Sequence, residues 1–168
     1  MSACMTSRTS LALVGLASIA AIAVGCGSGS SSKPPTSAPT AAISVGSTGV
    51  GDVLLNAQNP TLYRFKKDAG PKSTCFGACA HNWPPVRATG KPTAGGGANA
   101  SLFGTVKRPD GPPQVTYNGH PLYSFLGDNT PSATNGQGVK AFGAAWFAVS
   151  PAGNAVTKRS TAGRSNGY

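Results

Sequence analysis

Apolar residues along this chain come in short runs broken by turn-formers, and the spacing within the runs is that of strands. Val53-Leu54-Leu55 and Leu62-Tyr63-Arg64-Phe65 flank a break at Gln58-Asn59-Pro60. Leu102-Phe103-Gly104-Thr105-Val106 leads into Pro109-Asp110-Gly111, where proline presets φ and glycine accepts a positive φ. Gln114-Val115-Thr116-Tyr117, Asn118-Gly119 and Leu122-Tyr123-Ser124-Phe125 read as a hairpin, because Asn-Gly suits the type I′ turn whose twist matches the strands. Pro121 delays the second arm or places it at an edge. Trp146-Phe147-Ala148-Val149 is a further strand. Helical periodicity is nearly absent: residues 75–81 predict one short helix, which Trp83-Pro84-Pro85 stops. The pattern predicts a small, mainly β fold with antiparallel pairing, since the connections are short and no crossover helix is present. Its expected core is Leu62, Tyr63, Phe65, Trp83, Val115, Tyr123, Phe125 and Trp146.

The runs repeat. Leu62-Tyr63-Arg64-Phe65-Lys66-Lys67-Asp68 returns as Leu122-Tyr123-Ser124-Phe125-Leu126-Gly127-Asp128, with Leu, Tyr, Phe and Asp matched. A Trp follows each copy, Trp83 and Trp146, and a Val lies three residues further on, Val86 and Val149. In a strand, Tyr and Phe two apart share one face and the residue between them points the other way. Each copy therefore delivers an aromatic pair to a core and an Asp just past the strand end. The module is expected to be built from two repeats, with motifs at 62–68 and 122–128.

The N-terminal 25 residues have a different pattern. Arg8 precedes an uncharged apolar run, residues 11–24, that is shorter than the roughly 20 residues of a membrane span. It fits the hydrophobic region of a secretory signal. The run ends at Ala23-Val24-Gly25-Cys26, which resembles the lipobox of bacterial lipoproteins, where the cysteine becomes the lipidated mature N-terminus. Residues 1–25 are thus expected to be a lipoprotein signal peptide. Residues 26–44, rich in Ser, Gly, Pro, Thr and Ala, are expected to be the lipidated cysteine and a flexible tether, since such composition does not bury enough surface to order itself. The two-repeat domain is expected over 45–157, with a basic flexible tail at 158–168.

The tandem Tyr-x-(aromatic)-x-x-Asp motifs, with the lipobox and the tether, resemble the bacterial lipoproteins of the "secreted repeat of unknown function" family. Cys75-Phe76-Gly77-Ala78-Cys79-Ala80-His81-Asn82-Trp83-Pro84-Pro85 is similar to that family's Cys-x3-Cys-Ala…Trp-Pro-Pro element. The resemblance spans about residues 48–150. Copy two departs from it, having residues 139–145 where a cysteine pair would be. The family carries no established activity, so the resemblance implies a class of protein and no reaction.

Composition narrows the chemistry. Only 11% of the 168 residues are charged, against roughly 25% in ordinary soluble domains, which excludes a long charged coiled coil. Fourteen bases face four acids, all Asp. Loss of residues 1–25 removes Arg8 and no acid, leaving thirteen bases against four and a net charge of +9. An exported chain is not expected to meet nucleic acid. Anionic lipid or acidic wall polymer is the expected partner of Lys66, Lys67, Lys72, Lys107, Arg108 and the tail residues Lys158, Arg159 and Arg164.

Cys75 and Cys79 form a pair in an exported protein, where disulfides persist, and a structural bridge is the expected state. The alternative is a copper-binding or electron-transfer site of Cys75 and Cys79 with His81, and with His120 as a further ligand, because soft thiolates suit Cu(I). The spacing is not that of covalent haem attachment. Asp68 and Asp128 are expected to accept backbone N–H groups in the turns that leave their strands. A hydrolase acting through this carboxylate pair is the competing reading. Gly95-Gly96-Gly97 reads as a loop, and no Ser-His-Asp arrangement has local support. The chain is thus expected to be a non-enzymatic envelope module, anchored through Cys26 on the extracytoplasmic face of a membrane, with no cofactor.

Overall fold

A computed structural model describes residues 41–58 and 60–157. The expected signal peptide, Cys26, most of the expected tether and the expected basic tail lie outside the described residues. Among the described residues, short strands and one helical turn carry the fold. Strand β1 (Ala42–Thr48) turns back into β2 (Gly51–Asn56), pairing Ile43 with Asn56 through Thr48 with Gly51. Strand β5 (Phe103–Arg108) pairs in the same way with β6 (Gly111–Tyr117) around the predicted Pro109-Asp110 turn. Gly111 takes φ 138° there. Strand β6 then meets β7 (His120–Pro121) across Asn118-Gly119, both at positive φ as a type I′ turn requires. Pro121 sits opposite Thr116 in the ladder, in a strand at the edge of the β5-β6-β7 sheet, the second of the two places expected for it.

Strand β3 (Tyr63–Phe65) is the first motif, and it pairs antiparallel with β9 (Ala144–Ala148), the strand that carries Trp146. Strand β8 (Lys140–Ala141) folds onto β9 through Phe142-Gly143. The pairing is mainly antiparallel, as the pattern predicts, with one exception: β4 (Thr93–Ala94) runs parallel to β1. It reaches that position across the long connection between the repeats, and glycines at 95–97 turn the chain back so that the Gly96 carbonyl accepts from the Val45 N–H at 3.1 Å. The helix α1 spans Ala78–Asn82. It starts later than the expected residue 75 because Gly77, at φ 55°, breaks the chain direction ahead of it.

The tether boundary moves as well. The fold begins by Ala42, and Ile43 is 1% exposed, so the expected tether end at 44 is three residues too late. Small neighbours disguise Ile43, which is buried in one cluster with Leu54, Leu62, Val115 and Leu122. Strand β2 lies between this cluster and a second one built on Tyr63, Phe65, Trp83, Tyr123 and Trp146. Burial on both faces accounts for the unbroken apolar run Val53-Leu54-Leu55. All eight expected core residues pack in these clusters, Phe125 half-buried at the edge.

Candidate functional site

The two motif copies meet each other. Tyr63 N–H donates to the Tyr123 carbonyl at 2.8 Å, and Tyr123 N–H donates to the Tyr63 carbonyl at 2.9 Å. Such a reciprocal pair defines an approximate two-fold relation, and bonds around it come in matched sets. Leu62 N–H donates to Leu54 O and Leu122 N–H to Val115 O. Val149 N–H donates to Leu62 O and Val86 N–H to Leu122 O. Leu54 N–H donates to Val149 O and Val115 N–H to Val86 O. In the last two sets the partners belong to opposite repeats. Each motif strand therefore pairs with the Trp-bearing segment of the other copy, and the repeats are entwined.

The side chains follow the same exchange. Tyr63 Oη donates to Asp128 Oδ2 at 2.7 Å, and Tyr123 Oη donates to Asp68 Oδ2 at 2.6 Å. Each Asp thus serves the tyrosine of the other repeat. Each also holds its own outgoing loop, as expected: Thr74 N–H donates to Asp68 Oδ1 at 2.7 Å and Asn135 N–H to Asp128 Oδ1 at 2.8 Å. Phe65 stacks on Trp146 with centroids 4.1 Å apart, Trp146 on Trp83 at 4.0 Å, and Trp83 on Phe125 at 4.2 Å. Tyr63 and Tyr123 meet Trp83 and Trp146 edge-on at 5.4 and 5.1 Å. The result is a four-ring column, buried except at its Phe125 end, flanked by two tyrosine–carboxylate pairs. Gly136 is required beside it, because a Cβ there would lie 2.8 Å from both Tyr63 and Trp83 ring atoms.

Burial sets the electrostatics of these pairs. Desolvation foremost, and then the bond to Asp128, pushes the Tyr63 hydroxyl well above the usual tyrosine range. Tyr123 shifts the same way for the same first cause, with the bond to Asp68 second. Desolvation also raises Asp128, against the opposing bond from Tyr63. Hydrogen bonds to a charged group contribute about 1.5–3 kcal/mol, so these pairs clamp the repeats together. Asp68 and Asp128 share no hydrogen-bond partner, and each is occupied by a buried tyrosine.

Cys75 and Cys79 are bonded to each other, with Cα atoms 5.2 Å apart, and both are buried. His81 lies exposed at the end of α1. Among the described residues no group of three or more His, Cys, Asp or Glu is placed to hold a metal ion. His120 is elsewhere: Arg64 Nη2 lies 3.1 Å from its Nδ1, so the ring accepts there. Burial first, and Arg64 second, lowers the His120 pKa.

The basic residues divide. Arg108, expected on a binding surface, has a side chain 0% exposed. Its guanidinium donates to both Asp110 oxygens at 2.7 Å, to Ser73 Oγ at 2.6 Å, to Gln114 Oε1 at 2.7 Å and to the Cys75 carbonyl at 2.8 Å, and it lies 4.4 Å from the Phe76 ring centroid. Its hydrogen bonds hold Asp110 down to about 2. Ser73 continues the network: because the Tyr123 proton goes to Asp68, the Ser73 hydroxyl donates to Tyr123 Oη at 2.7 Å. A fixed fork of five donors explains why arginine stands here. Ser73 and Cys75 are 35 and 33 residues away along the chain, so no local pattern announces the network.

Lys66, Lys67, Lys72 and Lys107 are exposed. Lys66 lines an open groove of about 620 Å³ with Lys140, Phe142 and the residues 143–145. Lys140 and Phe142 escaped the sequence reading, because the β8–β9 hairpin that brings them beside Lys66 is two residues long on one arm and has no Asn-Gly signal. No helix among the described residues is long and apolar enough to cross a membrane. The family model described as a secreted repeat of unknown function matches the chain twice, over residues 44–87 and 104–150. These spans cover the two entwined copies. No curated protein and no solved structure matches the chain.

Proposed function

The chain belongs to the family of secreted repeats of unknown function, and from that premise we propose that it is a membrane-anchored extracytoplasmic module that binds and does not catalyse. The observation that carries the reading is the direction in which the motif faces. Tyr63, Phe65, Asp68, Tyr123, Phe125 and Asp128 are consumed in holding one repeat to the other. Residues so committed leave the surface as the working part. That surface is basic by count, with thirteen bases against four acids once residues 1–25 are removed. The anchor is Cys26, whose sulfur carries lipid after cleavage of residues 1–25, and residues 27–41 connect it to the domain. Anionic lipid or acidic wall polymer is the class of partner that a net +9 attracts.

Fractionation tests the anchor. Wild type should partition with membranes, and Cys26→Ala should appear in the medium or as an unprocessed precursor. Mature Cys26→Ala that stays in the membrane fraction through a high-salt wash would refute the anchor. Pull-down on anionic polymer or lipid tests the surface, with capture at low ionic strength and release at high salt.

A further inference from the structure

The two-fold relation gives each motif strand a matched end, and the ends differ. Lys66 and Lys67 follow Phe65 at one, where Lys66 N–H donates to Ala145 O of the β8–β9 hairpin at 3.0 Å. Leu126 and Gly127 follow Phe125 at the other, where Leu126 N–H donates to Asn82 O of α1, also at 3.0 Å. Hairpin and helix thus occupy equivalent places. The hairpin end carries the groove lined by Lys66, Lys140 and Phe142, and Lys67 Nζ comes within 3.7 Å of the Cβ position of Gly143.

Phe142 is out of place by every measure of stability. It holds φ 55° in the hairpin turn, with Gly143 at 92°, and it is 41% exposed. A bulky aromatic residue at positive φ is strained, and an exposed ring returns little burial for the strain. The same type of turn at Asn118-Gly119 uses the residue that favours this backbone. Around Phe142 stand three lysines, and no ion pair among the described residues involves a lysine. A soluble polyanion would satisfy those ammonium groups and do nothing for the ring. A bilayer surface satisfies both: lysine stems run along the apolar boundary with their heads at the phosphates, and an aromatic ring beside them enters the acyl edge.

We propose that the β8–β9 hairpin end, Phe142 with Lys66, Lys67 and Lys140, docks the domain onto an anionic lipid surface. The inference rests on the membrane-anchored reading and deepens it. Sixteen residue steps separate Cys26 from Ala42, about 55 Å when fully extended. A domain of about 117 residues has a radius of gyration of about 13 Å, so the connection lets this end turn to the bilayer.

The test uses the exported chain with Cys26→Ser, so that no lipid anchor contributes, and co-sedimentation with vesicles. Binding is expected to phosphatidylglycerol-containing vesicles at low salt, and not to pure phosphatidylcholine. Phe142→Asn suits the turn, so its thermal melt should be unchanged or raised while vesicle affinity falls about tenfold. Lys66→Gln, Lys67→Gln and Lys140→Gln should each weaken binding about fivefold, and Leu126→Asn at the opposite end should leave it unchanged. Three results would overturn the proposal: no binding to anionic vesicles, undiminished binding by Phe142→Asn, or full competition by soluble polyphosphate with no dependence on Phe142. Membrane fractionation of the Cys26 variants after a high-salt wash, which releases a domain held only by its basic surface, reads the anchor separately, so failure of the docking surface leaves that reading standing, and the reverse.

Discussion

The two repeats agree where they touch each other and differ where they do not. Tyr, Phe, Asp and Trp recur in both, and each makes its main contact with the opposite copy: Tyr63 with Asp128, Tyr123 with Asp68, Phe65 with Trp146, Phe125 with Trp83. Between Asp and Trp the copies diverge completely. Repeat one carries the Cys75–Cys79 bridge and a helical turn, and repeat two a hairpin. Yet Trp83 N–H donates to Cys79 O at 2.8 Å and Trp146 N–H to Val139 O at 2.9 Å, so the same carbonyl is supplied by unrelated local structures. What the shared core requires of this segment is an apolar side chain and one acceptor. Everything else in it is free to specialise. One copy uses the freedom for a covalent staple, the other for Lys140 and Phe142.

If the entwined pairing is the source of stability, its largest consequence appears on separating the copies. A chain ending after residue 96, or one beginning at residue 97, loses every cross-repeat ladder and should show no cooperative unfolding transition by circular dichroism. A folded half would break the comparison. Next in size are the column tryptophans. Trp83→Ala and Trp146→Ala should each cost about 3–5 kcal/mol, read from denaturant midpoints. The indole Nε1 of Trp146 is buried with no partner among the described residues, so Trp146→Phe, which removes that N–H, should cost less than Trp146→Ala by more than volume alone accounts for.

The tyrosine–carboxylate clamps are smaller. Tyr63→Phe and Tyr123→Phe should each lose about 1.5–3 kcal/mol. Each also strips a second partner, the buried Gly136 N–H from Tyr63 and the Ser73 hydroxyl from Tyr123, so the two losses should be of the same order. A Tyr123→Phe loss unchanged in a Ser73→Ala background would show that the network does not extend through Ser73. Smallest is the response to acid, where the carboxylates differ in sign. Asp110 is held down to about 2 in the folded state, so its stabilisation is present above pH 4 and is lost as pH falls from about 4 to 2. With a third of its side chain exposed, the loss is on the order of 1 kcal/mol, and Asp110→Asn should remove it. Asp128 is raised by burial, so the folded state takes its proton first, and that site alone gains stability as pH falls through its folded pKa.

Strand runs, the Pro109-Asp110 and Asn118-Gly119 turns, the duplication and the core aromatics were legible in the chain, because period-two burial and turn chemistry are local properties. The cysteine bridge was legible from spacing and export together. Arg108 was misread as a surface base, since nothing near it in sequence announces Ser73 and Cys75 as partners. Ile43 was lost in tether-like composition, and β4 was missed because two residues pairing in parallel leave no pattern.

The sequence alone determined which residues go inside and that there are two of each. A repeated Leu-Tyr-x-Phe can bury its alternate positions in only one way on a strand, whatever the strand lies against. The tertiary structure decided whom each residue meets. A copy could have closed its own Tyr onto its own Asp, but the reciprocal Tyr63–Tyr123 backbone pair sets the two motifs antiparallel, and each Asp then lies past the far end of its own strand, beside the tyrosine of the other. Partner choice across sixty residues depends on the path of the chain between them, and no local preference encodes that path.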